Sequence, residues 1–172
     1  MGRAARGRRP GRPDAAGRPA RPGGAAPRRG RALDVACGRG AVAVWLAQRG
    51  LAVDAVDVSG AGLDTGRALA ARAGVEVRFV EADLDEGLPV SGPYDVVVCQ
   101  RFRDPALYPA LAEALAPGGL LVVTVLSEVD DEQGPFRAAR GELTAAFEDL
   151  TVIASAEADG EATLVARRTQ NP

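Results

Sequence analysis

The chain has 172 residues and a formal net charge of −2, a length that suits one domain with a single core. The charge divides unevenly: residues 1–31 hold ten Arg and one Asp, net +9, while residues 32–172 hold eleven Arg and twenty-two acids, net −11. There is neither His nor Lys, which excludes Ser-His-Asp and Cys-His nucleophiles, His-ligated zinc, the P-loop lysine and Schiff-base lysine chemistry.

Residues 1–31 use only Arg, Gly, Ala and Pro besides Met1 and Asp14. With no branched aliphatic or aromatic side chain to bury, this segment is expected to be a disordered tail. Its clustered Arg suits attraction to nucleic-acid phosphates, but no aromatic residue is interleaved to stack on bases, so a solvated extension is the favoured reading. The two cysteines, Cys37 and Cys99, form no CxxC pair and are expected to be reduced thiols acting as small buried hydrophobes in a cytoplasmic protein. The longest apolar run, Leu120 to Leu126, is interrupted by Thr124 and is far short of the roughly twenty residues that a membrane helix needs.

From Ala32 onward, β-rich runs alternate with Ala- and Leu-rich stretches. The pattern predicts strands at Ala32–Ala36, Ala52–Val58, Val75–Val80, Tyr94–Cys99 and Leu120–Leu126, with helices at Ala41–Gln48, Gly60–Ala73 and Ala106–Ala116 between them. Trp45, among Val42, Val44 and Leu46 on the first helix, is expected in the core. The second helix is weakened by Gly60, Gly62 and Gly66. After Leu126 an acidic loop leads to a short helix near Gly141–Phe147, then to β segments Leu150–Ala156 and Ala162–Arg168 around an Asp159-Gly160 turn, a hairpin signal. The expected fold is α/β: a Rossmann-like doubly wound sheet of five parallel strands ending in an antiparallel hairpin edge, spanning residues 32–168 with a short C-terminal tail at 169–172.

The strongest site signal is Leu33-Asp34-Val35-Ala36-Cys37-Gly38-Arg39-Gly40, a strand that runs into a glycine turn and then a helix. Ligands of open α/β sheets gather at the carboxyl ends of strands where the strand order reverses. Gly38 and Gly40 let the backbone approach a ligand closely; a plain tight turn is the alternative. Asp57, ending Val56-Asp57-Val58-Ser59, is placed to accept hydrogen bonds from the ribose hydroxyls of an adenosine-containing ligand, and Ser59 beside it is a further cofactor-binding candidate that also suits a helix N-cap. Asp54 precedes the strand end and is the weaker candidate. Asp83 and Leu84, after the third strand, suit an adenine amino group and ring, or simply a polar loop. A nicotinamide-binding fingerprint fits less well, because Ala43 stands where GxGxxG needs its third glycine.

The runs ALDVACGRG, VDAVDVS, VEADLDEGLP, YDVVVCQRF and ALAPGGLLVVTV, in this order, resemble the class I S-adenosylmethionine (SAM)-dependent methyltransferases, and most of all the small bacterial tellurite-resistance type. The resemblance implies SAM as cofactor, with Asp34, Ala36, Cys37, Gly38 and Gly40 along its methionine end, Asp57 on the ribose, and Val58, Asp83 and Leu84 around adenine. Gln100 would sit near the methyl group. Ala36 departs from the more usual glycine. Arg101, Arg103 and Tyr108 follow the fourth strand, where the family places substrate-facing residues; the arginines suit an anionic small-molecule substrate or are plain surface residues. The resemblance thus implies methyl transfer to a small molecule, and the competing readings are a SAM-binding module with an incomplete acceptor site and an RNA-directed enzyme that uses the basic tail. Family members carry N-terminal helices over the cofactor, at a place the Arg/Gly/Pro segment holds here.

Overall fold

The computed structural model of the chain describes residues 30–131 and 133–170; the expectations for residues 1–29 and for the last two residues lie outside this range. Twelve short elements build one sheet with helices on its faces. The strands are β1 (Arg31–Val35), β2 (Ala52–Asp57), β3 (Val77–Glu81), β4 (Tyr94–Gln100), β5 (Leu115–Leu126), β6 (Thr151–Ala158) and β7 (Glu161–Arg167). The helices are α1 (Ala41–Gln48), α2 (Gly60–Ala73), α3 (Tyr108–Glu113) and α4 (Glu142–Ala146), with a single 3₁₀ turn at Leu84–Glu86.

The sheet order is β3-β2-β1-β4-β5-β7-β6. β1 to β5 are mutually parallel and β7 and β6 antiparallel, as the alternating pattern and the Asp-Gly turn predict. Asp159 and Gly160 both have positive φ, the requirement of a turn whose twist matches a two-residue hairpin. The chain runs outward from β1 to β3, then returns to place β4 on the other side of β1. The strand order therefore reverses between β1 and β4, and a crevice opens at their carboxyl ends.

Alternation along β1 feeds two apolar layers. Leu33 and Val35 join Val97, Leu121, Val123 and Leu164 under Leu111, Leu143 and Phe147 of the α3–α4 side. Ala32 joins Val53, Ala55 and Val98 under Ala43 and Leu46 of α1. The α2 helix packs beside α1, where Gly66 lies so near Phe79 of β3 that an added Cβ would stand 2.6 Å from the ring. The glycines that weaken this helix on propensity are thus bound up with its packing.

Three expectations shift. Arg31, counted with the tail by charge, is the first residue of β1, and its guanidinium bonds Asp54 and stacks over Tyr94. β5 begins at Leu115 rather than Leu120: Leu115 pairs with Tyr94, and the register then jumps to Leu120 opposite Val96. Pro117-Gly118-Gly119 forms that irregularity and is tied to the end of β7, with Gly118 N donating to Arg168 O and Arg168 N donating to Gly119 O, both 2.9 Å. Trp45 is not core. It is 50% exposed, because helical residues advance about 100° each and Ala43, Val44 and Leu46 already occupy the face toward the sheet. Its ring carries the Arg49 guanidinium at 3.5 Å and edges an apolar trough of about 630 Å³ over Val96, Val98 and Val122.

The amino ends of β1, β2 and β4 are tied by a polar knot, which borders a cleft of about 530 Å³. Buried Tyr94 donates its hydroxyl to Asp54 Oδ2 at 2.6 Å, and Arg31 and Arg78 flank the same carboxylate at 3.2 and 3.6 Å. Burial, with the Asp54 charge, pushes the Tyr94 phenol above its ordinary range. Replacing Tyr94 with Phe removes the donor and leaves the buried carboxylate one partner short, so urea denaturation should show a loss of about 1–2 kcal/mol.

Candidate functional site

The opposite, carboxyl end of the sheet is open. β1 leaves the sheet through Ala36 at φ +54° and reaches α1 through Gly38 and Gly40, at +54° and +71°. Ala36 holds a left-handed conformation that its Cβ resists by roughly 1–2 kcal/mol. Around Gly38 there is open space where a side chain would stand, so glycine there serves the backbone sign. Cys37 N donates to Val56 O and Gly40 N to Cys37 O, both 2.9 Å, which binds the turn to β2.

Asp57 fixes that turn. Its Oδ2 accepts from Gly38 N at 2.7 Å and its Oδ1 from Ser59 N at 2.9 Å. One carboxylate thus joins the β1 loop, the end of β2 and the entry to α2. Ser59 caps α2, its hydroxyl accepting from Gly62 N at 3.1 Å. Gly62, one of the three glycines expected only to weaken this helix, faces the loop: a Cβ there would lie 2.9 Å from the Gly38 carbonyl oxygen. Its missing side chain lets α2 lie against the loop.

Asp34 is buried on β1, and its Oδ2 has no hydrogen-bond partner among the described residues. Burial pushes its carboxyl up to about 7, the Asp57 charge adds to this, and the Ala43 amide opposes it. Burial, with the Asp34 charge next, also lifts the thiols of Cys37 and Cys99 to about 12. Both cysteines are free and protonated at neutral pH, which makes them poor nucleophiles.

Ala36, Asp57, Val58, Asp83, Leu84 and Phe102 enclose a recess of about 110 Å³. Its walls are apolar at Val58, Leu84 and Phe102 and carry carboxylates at Asp57 and Asp83, a chemistry that suits a flat ring bearing hydroxyl or amino donors. Asp83 Oδ1 accepts from Asp85 N at 3.0 Å and starts the 3₁₀ turn. Phe102 belongs to the YDVVVCQRF run that carries the family resemblance, but its place in the wall of the recess is visible only in three dimensions. Gln100 stands elsewhere, bordering the trough beside Ala41.

Arg101 and Arg103 line a second cleft, of about 440 Å³, that shares Phe102 with the recess. Tyr108 is buried instead, its hydroxyl donating to Glu142 Oε1 at 3.1 Å. Arg103 grips Glu142 with two bonds of 2.8 and 2.7 Å. Glu142 is held below its ordinary carboxylate range chiefly by that guanidinium.

A family description, "Methyltransferase domain", matches residues 32–119, half of the chain, and takes in β1 to β4, the recess and the strand-order reversal. The chain belongs to that family. Among curated methyltransferases, a ubiquinone biosynthesis O-methyltransferase of Caulobacter sp. (strain K31) is 36% identical over 103 residues, which span 56% of this chain and 41% of that relative. A ribosomal protein L11 methyltransferase of Dechloromonas aromatica (strain RCB) is 38% identical over 104 residues, 58% of this chain and 34% of its own length. The chain therefore spans less than half the length of these curated relatives. The crystal structure of TehB from Haemophilus influenzae superposes with a TM-score of 0.74 at 20% identity, over 81% of this chain and 58% of that one, and shows the methyltransferase fold.

Two outcomes follow from this geometry. The Asp34 carboxyl ionises near pH 7 in the folded chain and near its ordinary 3.8 when unfolded. The stability it contributes is complete below pH 4 and lost as pH rises through 7. Replacing it with Asn should therefore remove a decline in unfolding free energy of up to a few kcal/mol between pH 4 and 8, read from paired denaturation curves. A Gly62→Ala variant should gain helix propensity of at most about 1 kcal/mol but displace the Gly38 peptide. Its Gly38 amide should lose protection in hydrogen exchange while the sheet amides keep theirs.

Proposed function

We propose that the chain is a SAM-dependent methyltransferase that binds the cofactor across the carboxyl ends of β1 to β4 and passes its methyl group to a small-molecule acceptor by in-line displacement. The observation that carries this reading is the recess beside the Asp57 clamp, within the residues that match the family. Each Asp57 oxygen accepts one backbone N–H and keeps a lone pair for a ribose hydroxyl. Val58 and Leu84 would cover the two faces of adenine, and Asp83 would take its amino group. Asp34, Ala36, Cys37, Gly38 and Gly40 would run along the methionine end. The orphaned oxygen of Asp34 fits a site that receives a hydrogen-bond donor from a ligand, since buried carboxylate oxygens rarely stay bare. Ser59 would act through α2, holding the ribose clamp in place, and Gln100 would reach the cofactor from the α1 side.

SAM supplies a methyl group already activated by its positive sulfur, so the chain's own work is to orient the acceptor and keep water away. That work needs no histidine. The cleft that shares Phe102 with the recess has the volume of a small-molecule site, which favours a small acceptor. Two free cysteines suit a reducing, cytoplasmic setting, and no helix among the described residues is long and apolar enough to cross a membrane.

Calorimetry with SAM and with its demethylated product, S-adenosylhomocysteine, should give one-to-one binding of both. An Asp57→Ala variant should bind at least about tenfold more weakly, the loss expected when hydrogen bonds to a charged group disappear. Unchanged affinity would remove the ribose assignment, and no heat with either ligand would overturn the reading. Release of the demethylated product on adding acceptors separates an enzyme from a module that only binds SAM.

A further inference from the structure

The cleft beside the recess carries a charge balance that its two arginines conceal. Arg103 is engaged by both oxygens of Glu142 and also donates to Pro135 O at 3.0 Å. Arg101, 78% exposed, faces Glu161 at 3.3 Å. Each cation thus faces its own glutamate, Arg103 in a two-bond pair and Arg101 in a single exposed one. Two further carboxylates line the same cleft, Asp85 and Asp104. Asp104 Oδ1 accepts from Ala106 N at 2.9 Å, which is a bond to a neutral group. The Asp85 carboxylate has no hydrogen bond or ion pair among the described residues. The local sum is negative.

The rest of the cleft is apolar. Phe136 is 76% exposed and Leu126 39% exposed, and both line it together with Phe102. Large exposed apolar side chains gathered at one cleft mark a binding surface, and two phenyl rings suit a flat or aromatic partner.

Resting on the proposed methyl transfer, we infer that the acceptor is a primary or secondary amine carried on an aromatic or flat apolar body. Its ring lies against Phe102, Phe136 and Leu126, and its nitrogen is drawn by Asp85 and Asp104. The ammonium first gives a proton to water. The nitrogen lone pair then forms a bond to the methyl carbon while the carbon–sulfur bond breaks, its electron pair staying on sulfur. Positive charge passes from sulfur to nitrogen, and the N-methylated ammonium leaves. Two uncompensated carboxylates stabilise that charge at its destination, where two arginines would oppose it.

The test uses the full chain loaded with S-adenosylhomocysteine and three probes that share a phenyl ring: 2-phenylethylamine, 2-phenylethanol and 3-phenylpropanoate. Calorimetry or saturation-transfer NMR should rank the amine tightest, by about tenfold or more over the carboxylate, with the gap narrowing as salt is raised. The Asp85→Asn/Asp104→Asn double variant, both positions lying on surface turns, should lose that preference. Equal binding of the three probes, tighter binding of the carboxylate, or a preference that persists in the double variant overturns the inference. Failure of S-adenosylhomocysteine itself to bind would instead overturn the methyltransferase reading.

Discussion

A single carboxylate sets the geometry of the open end of the sheet. Asp57 takes the Gly38 amide on one oxygen and the Ser59 amide on the other, bonds to a charged acceptor that are each worth about 1.5–3 kcal/mol. The parallel pairing of β1 with β2 brings these groups within reach. The absence of a side chain on Gly62 lets α2 approach closely enough to complete the arrangement. The clamp thus depends on sheet register, helix position and turn conformation at once. It also gives a reason why Ala36 is held in a conformation that its Cβ disfavours: the loop is constrained from both of its ends.

The two ends of the sheet follow opposite electrostatic logic. At the amino end Arg31, Arg78 and Tyr94 surround Asp54, and the carboxylate is fully engaged within the protein. At the carboxyl end Asp34 is buried with a bare oxygen and a carboxyl lifted to about 7, a cost that a purely structural site would have no reason to carry. Two aspartates of similar burial on adjacent strands thereby serve different ends of the molecule. Their surroundings, not their type, make the difference.

Much of this was legible in the amino-acid order. Apolar runs of strand length separated by helical stretches announce a parallel sheet, and the Asp159-Gly160 pair announces the hairpin, because both signals are local. Asp57 and Ser59 could be placed at a strand end and a helix start for the same reason. Other features needed the third dimension. Nothing local says that Arg101 and Arg103 face Glu161 and Glu142, sixty and thirty-nine residues away. Nothing local says that Gly62 faces the Gly38 carbonyl, or that Trp45 falls on the uncovered flank of α1. β5 starts early because of a pairing with Tyr94 across the sheet, while its own Pro-Gly-Gly reads as an end.

Glu142 gathers four bonds on one side chain: two from Arg103, one from the Tyr108 hydroxyl and one from the Ala139 amide. It therefore joins the loop after β4, the first turn of α3 and the start of α4. A carboxylate held below its ordinary range keeps its contribution down into acid and loses it only as pH falls through that lowered value. Protonation therefore weakens three segments through one group, while Arg103 keeps its bond to Pro135 O and Leu111, Leu143 and Phe147 keep α3 and α4 packed on the core.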